Sequence, residues 1–171
     1  MSQSGCSSRS PADLENRNTA DLLAAYVHIL EELRERGAIR STNNPAADYA
    51  EHLAARALNL RLALKSTRGY DATDSRGKRY EIKARRPTRH NPSRQLSVIR
   101  GLDKEQFDYL VGVLFAEQFT VERACIIPSA VVRGLAVYRP YVNGWVLHLR
   151  DTVWQQAGVQ DVTRKLKAVE E

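Results

Sequence analysis

Apolar and polar positions follow three different rhythms along this chain. From Thr19 to Arg36, Leu22, Leu23, Tyr26, Ile29, Leu30 and Leu33 recur at spacings of three and four, which predicts an amphipathic helix, and Gly37 supplies a stop. Ser41–Pro45 reads as a loop, with Asn44 as N-cap and Pro45 at the first helical position. A second helix is predicted from Ala46 to Leu62, its inner face carrying Ala50, Leu53, Ala57, Leu58 and Leu62. After Arg68 the period changes to two. Gly69–Asp74 and Lys78–Arg85 alternate around Ser75-Arg76-Gly77, a three-residue hairpin loop whose glycine suits the left-handed conformation. Phe107–Phe115 is an apolar run long enough for a buried central strand. Val121–Ile127 predicts another strand, stopped by Pro128, and Ser129 a cap for a short helix through Val132. Leu135–Tyr141 and Trp145–Leu149 flank Asn143-Gly144 as a second hairpin, and Asp161–Val169 closes the chain as a short helix.

Helix, hairpin, buried strand, strand and helix predict an α/β (α+β) domain with a mixed central sheet. With 171 residues, one domain plus an extension is expected. The expected division is a small, polar, disordered tail over 1–18, an N-terminal helix over 19–40, and one domain over 44–171. Hydrophobic residues are 43% of the chain, which suffices for a core, yet no apolar run reaches the roughly 18–20 residues that span a bilayer. Residues 1–10 lack the apolar segment of a secretory signal, so the expected compartment is cytoplasmic, with no membrane partner. Two cysteines, Cys6 in the tail and Cys125 in an apolar strand, predict neither a disulfide nor a thiolate metal site.

Charge sharpens the picture. The net charge is +6, but Arg76–Arg100 alone holds nine Lys or Arg and one acid, Glu81, so the rest of the chain is slightly acidic. A basic patch of this kind points to a polyanion such as nucleic acid. Aromatic residues are 7% of the chain and are not concentrated in that segment, which speaks against a module that binds single strands by stacking. Gly-rich nucleotide loops and a GxSxG nucleophile are missing, which disfavours ATP, dinucleotide and serine-hydrolase chemistry.

The first hairpin carries the candidate chemistry. If Asp74 and Lys78 close its loop, Thr73 lies opposite Arg79 and Asp71 opposite Glu81. Asp71, Thr73, Arg79, Glu81, Lys83 and Arg85 then share one face, and Tyr70, Ala72, Tyr80, Ile82 and Ala84 the other. Directly opposed carboxylates, with Cβ atoms roughly 5 Å apart, repel unless a cation sits between them. Mg²⁺ or Mn²⁺ would fit and keep several waters, one of them a nucleophile toward a phosphodiester, while Lys83 orients it or stabilises charge on phosphorus. A solvated hairpin face with weak ion pairs is the competing reading.

The stretch Gly69–Arg85 resembles the PD-(D/E)XK nuclease superfamily, which includes restriction endonucleases and archaeal Holliday-junction resolvases. The order of elements from about Pro45 to Ile127 is similar to its restriction-endonuclease-like core. The resemblance implies that Asp71 and Glu81 bind the metal and that Lys83 is the catalytic lysine. Tyr70 stands where the motif's name has proline. Glu51, on the helix before the hairpin, corresponds to an acid that many members carry there, though an early helical Glu also suits the macrodipole.

Arg85, Arg86, Arg89, Arg94 and Arg100 follow the lysine directly and are candidates for phosphates flanking a scissile bond, with Gln95 and Ser97 as neutral donors. His90 in that loop is expected to be merely exposed, and His28 and His148, in apolar segments, to be core or boundary residues. The expected partner is DNA, with RNA offering the same phosphates, and cleavage of two strands would favour a homodimer. The alternative is a nucleic-acid-binding or regulatory protein that keeps the fold without catalysis.

Overall fold

Eight strands and four α-helices form among the described residues, 14–64 and 67–170, of the computed structural model. These residues fall into two compact units, one ending at Asn43 and the other beginning at Asn44. The first unit contains α1 (Thr19–Glu35), capped where the Asn18 side chain accepts the Asp21 N–H at 2.9 Å and ended at Gly37, whose φ is +72°. The expected disordered tail lies, up to residue 13, outside the described residues, as does Cys6.

The second unit opens with α2 (Ala46–Leu58), whose N-cap is Pro45 and not Asn44; the Asn44 side chain, one residue earlier, accepts the Ala46 N–H at 3.1 Å. The strands β1 (Arg61–Leu62), β2 (Ala72–Thr73) and β3 (Arg79–Arg85) follow. Next come β4 (Tyr109–Phe115), β5 (Val121–Pro128) and α3 (Ser129–Leu135). β6 (Val137–Arg139), β7 (Gly144–Val146), β8 (Gln160–Asp161) and α4 (Thr163–Lys167) complete the unit. The main sheet has six strands in the order β1-β2-β3-β4-β5-β8, and it is mixed: β3 and β4 run parallel while every other pair is antiparallel. β6 and β7 form a separate two-stranded sheet.

The apolar run of β4 divides between two cores, because successive side chains in a strand point to opposite faces. Val111, Val113 and Phe115 join Ala50, Leu53 and Ala54 of α2 and Leu166 of α4 on one face. Leu110 and Leu114 join Val132 of α3, Leu147 and Leu149 on the other. A parallel pair needs a crossover, and here it is the stretch 86–108. Leu96, Ile99 and Leu102, spaced by three, are buried in the second core. The later part of the basic segment is therefore a packed cover over the sheet, not a solvated loop.

Several elements depart from the sequence expectation. α2 stops at Leu58 because Asn59 turns left-handed at φ +53° and the Leu60 N–H donates back to Ala55, which frees Arg61–Leu62 to extend the sheet instead of the helix. Ser129 caps nothing; its N–H donates to the Asp108 carbonyl, and α3 continues to Leu135. Asp161 is captured by Cys125 as a sheet partner, so the last helix starts only at Thr163. Tyr70 packs on the second core, opposite Ala72 and Ile82, because the chain leaves regular strand geometry before Ala72. His28 and His148 are exposed, the former with 80% of its side chain accessible.

Candidate active site

The first hairpin turns as its residues require. Asp74 accepts the N–H groups of Arg76 and Lys78, each at 2.9 Å, and Gly77 takes φ +78°. Thr73 pairs with Arg79 and Ala72 with Tyr80, in the expected register. At Asp71 the ladder ends. The Asp71 N–H donates to the Tyr80 carbonyl at 2.8 Å, and Asp71 Oδ2 accepts the Ile82 N–H at 2.7 Å. The side chain of Asp71 thus replaces a ladder carbonyl, and Asp71 is held against β3 through its carboxylate and not as a strand partner of Glu81.

β4 sets the environment of the other two residues. Parallel register puts Glu81 beside Leu110 and Lys83 beside Gly112. Leu110 is fully buried, and Leu149 fills the space over Gly112 so closely that a Cβ there would lie 2.9 Å from Leu149 Cδ1. Glu81 and Lys83 consequently sit deep, with side chains 13% and 18% exposed, and form an ion pair with Lys83 Nζ 2.5 Å from Glu81 Oε1.

Burial pushes the Glu81 carboxyl above its ordinary range, and the Asp71 charge adds to that push; Lys83 opposes both without cancelling them. For Lys83, burial acts downward, but the carboxylates of Glu81, Asp71 and Glu51 outweigh it and hold the ammonium above its usual range. Glu51, on α2, is therefore part of the field that Lys83 experiences. Three carboxylates thus act on one buried lysine.

Asp71, Glu81 and Lys83 line a cleft of about 640 Å³. Its remaining charged lining is cationic: Arg68, Arg100 and Lys104. Gly69 and Gly101 have positive φ, and Gln106 lies between them. A Cβ at Gly69 would fall 2.7 Å from Gln106 Cβ, and one at Gly101 would fall 2.6 Å from Gln106 Oε1. Glycine at both positions lets the two loops that carry Arg68 and Arg100 close on that side chain.

The basic candidates separate in space. Arg100 lines the cleft. Arg85 donates to the Ser93 carbonyl, Arg86 to the Glu117 carbonyl while lying 4.5 Å over the Phe119 ring, and Arg89 to His90. Arg94 spans Asp151 at 2.9 Å and Glu122 at 3.1 Å. The contacts of Arg85, Arg86 and Arg94 fasten the crossover to the domain, whereas Arg89 bonds its exposed neighbour within the crossover. Arg68 and Lys104 were not legible as site residues, since they lie outside the hairpin and only the loops around Gln106 bring them to it. Cys125 is buried beside this chemistry's sheet but inert, its thiol pushed up to about 12 mainly by burial.

Among the described residues, no group of three or more His, Cys, Asp or Glu gathers as a ready metal cage. Asp71 and Glu81 nevertheless suit Mg²⁺ or Mn²⁺, since Mg²⁺ uses one or two carboxylates and keeps several waters. No protein-family model matches the chain, and comparison with curated proteins finds no match.

Proposed function

We propose that this protein hydrolyses phosphodiester bonds of DNA with Mg²⁺ or Mn²⁺, and that residues 44–171 are a restriction-endonuclease-like core of the PD-(D/E)XK type. The observation that carries the reading is the Asp71–Glu81–Lys83 cluster, largely buried in a cleft whose other charged residues are Arg68, Arg100 and Lys104. The succession of helix, antiparallel hairpin, parallel strand and antiparallel strand supports the fold assignment.

Asp71 and Glu81 would hold the cation, Asp71 with its carboxylate aimed by the Ile82 N–H. A divalent cation bound there would supply an acidified water and Lewis-acid polarisation of the phosphate. Lys83, kept protonated by the surrounding carboxylates, directs its ammonium at the charge that builds on the phosphate. Glu51, which is not among the residues lining the cleft, adds its charge to the field that keeps Lys83 protonated. Arg68, Arg100 and Lys104 take the phosphates on either side. A homodimer would present two such clefts to two strands.

A second reading, DNA binding without catalysis, has one observation in its favour: Lys83 already neutralises Glu81 directly. Calorimetric titration of Mn²⁺ into the protein–DNA complex, with plasmid cleavage in Mg²⁺ beside it, separates the two. Wild type is expected to bind Mn²⁺ and to nick plasmid, and folded Asp71→Ala and Glu81→Ala variants to lose both, with cleavage down at least about 100-fold. Equal heats in all three proteins, with no cleavage, would leave the binding protein.

A further inference from the structure

The hairpin formed by β6 and β7 has no part in the chemistry above, yet it is built onto the wall of the same cleft. Ile99 and Trp145 exchange two backbone hydrogen bonds at 2.9 Å, and Arg100, which lines the cleft, donates to the Asn143 carbonyl at 3.4 Å. Gly144 packs directly on Val98, another lining residue, where any Cβ would collide. The tip of this hairpin is therefore one arginine side chain away from the candidate phosphate site.

Its outer surface is aromatic and basic. Tyr141 is 83% exposed, with Tyr138 and Val137 about half exposed beside it. Between Ala130 and Arg150 the sequence has three arginines and no acid. The backbone of Tyr141 is fixed by its turn. It lies in the turn Pro140–Val142, closed by the Asn143 N–H on the Pro140 carbonyl, with Asn143 left-handed at φ +46°. Tyr138 donates to the Asn143 side chain and packs edge-on against Trp145. An aromatic ring presented to solvent on a closed turn, in a segment whose own charges are arginines, one of them (Arg133) paired with Glu105, is suited to the face of a nucleic-acid base. A base inside a duplex already has both faces stacked, so only an unpaired one can use such a ring.

We propose that Tyr141 stacks on an unpaired base next to the phosphate bound in the cleft, so that the preferred substrate is DNA with a single-stranded arm, such as a fork. The inference rests on the proposed nuclease reading for the placement of the phosphate, but it is tested by binding alone. Affinities are measured without divalent cation, so that no strand is cut, for a fork carrying 2-aminopurine in its unpaired arm and for the matched duplex. Wild type is expected to prefer the fork and to quench the 2-aminopurine. Tyr141→Ala is expected to reduce the fork-to-duplex affinity ratio about tenfold and to abolish the quench. Tyr141→Phe, which keeps the ring, is expected to restore both.

Equal affinity of wild type for fork and duplex, an unchanged ratio in Tyr141→Ala, or no binding of either DNA would overturn the proposal. Adding Mg²⁺ distinguishes the two readings. Duplex cleavage without fork preference removes the stacking surface and retains the nuclease; a Tyr141-dependent preference without cleavage does the reverse.

Discussion

Asp108 shows how a single side chain settles the geometry of the site from outside it. Its carboxylate accepts the Arg79 N–H at 2.8 Å and Arg79 Nε at 3.3 Å, and Lys78 Nζ lies 3.6 Å away. These contacts tie the start of β3 to the start of β4, and so fix the register that buries Glu81 and Lys83. The backbone hydrogen bond from Arg79 is the main force holding the Asp108 carboxyl below its ordinary range, with the neighbouring cations adding to it against burial. A carboxyl depressed in the folded state stabilises the fold fully above its unfolded pKa, about 3.9, and loses that contribution as pH falls through its folded value. Asp108→Asn is thus expected to lower stability by about 1 kcal/mol at pH 7. Urea unfolding from pH 7 down to pH 2.5 should show the gap between the two proteins narrowing below pH 4. A gap that stays constant to the lowest pH would mean that shape, not charge, makes the tie.

At the scale of elements, the crossover from β3 to β4 combines two roles that sequence alone presents as one basic segment. Arg86 anchors it to the β4–β5 turn through the Glu117 carbonyl and the Phe119 ring. Arg100 opens onto the cleft. Substituting each by alanine should therefore give opposite profiles. Arg86→Ala removes a hydrogen bond and a cation–π contact worth about 1 kcal/mol together, and a melting point lower by roughly 3 °C is expected from calorimetry. Arg100→Ala should melt within a degree or so of wild type, while its DNA affinity should fall and the slope of log affinity against log salt should shrink by about one. Matching salt slopes for Arg100→Ala and wild type would take Arg100 out of the phosphate contacts.

For the molecule as a whole, both hydrophobic cores are closed within the second unit. Every residue of the two clusters lies between Ala46 and Val169. A chain of residues 44–171 is accordingly expected to fold without the segment before it, since apolar burial is the dominant favourable term in folding. Guanidinium unfolding followed by circular dichroism and by tryptophan fluorescence should give one coincident, cooperative transition. A broad or non-coincident transition would show that residues 1–43 contribute to the core's stability.

What local periodicity can carry was legible along the chain. Alternation around Ser75-Arg76-Gly77 defined the hairpin register, and the 107–115 run marked the central strand. Asn44 announced the start of α2, and Asp71, Glu81 and Lys83 stood out as one chemical group. Side-chain spacing along a helix or strand is a property of the residues in that element, so it is written where those residues are. Tertiary structure decided the rest. The parallel pairing of β3 with β4 set Lys83 beside Gly112, residues 29 positions apart. Asp71 entered the ladder through its side chain, which no period of two encodes. Arg68 and Lys104 reached the cleft from opposite sides of the hairpin in sequence, and the β6–β7 hairpin was joined to a segment that lines it through Ile99 and Asn143. Such meetings depend on which distant surfaces bury together, and that is the outcome of packing summed over the whole domain.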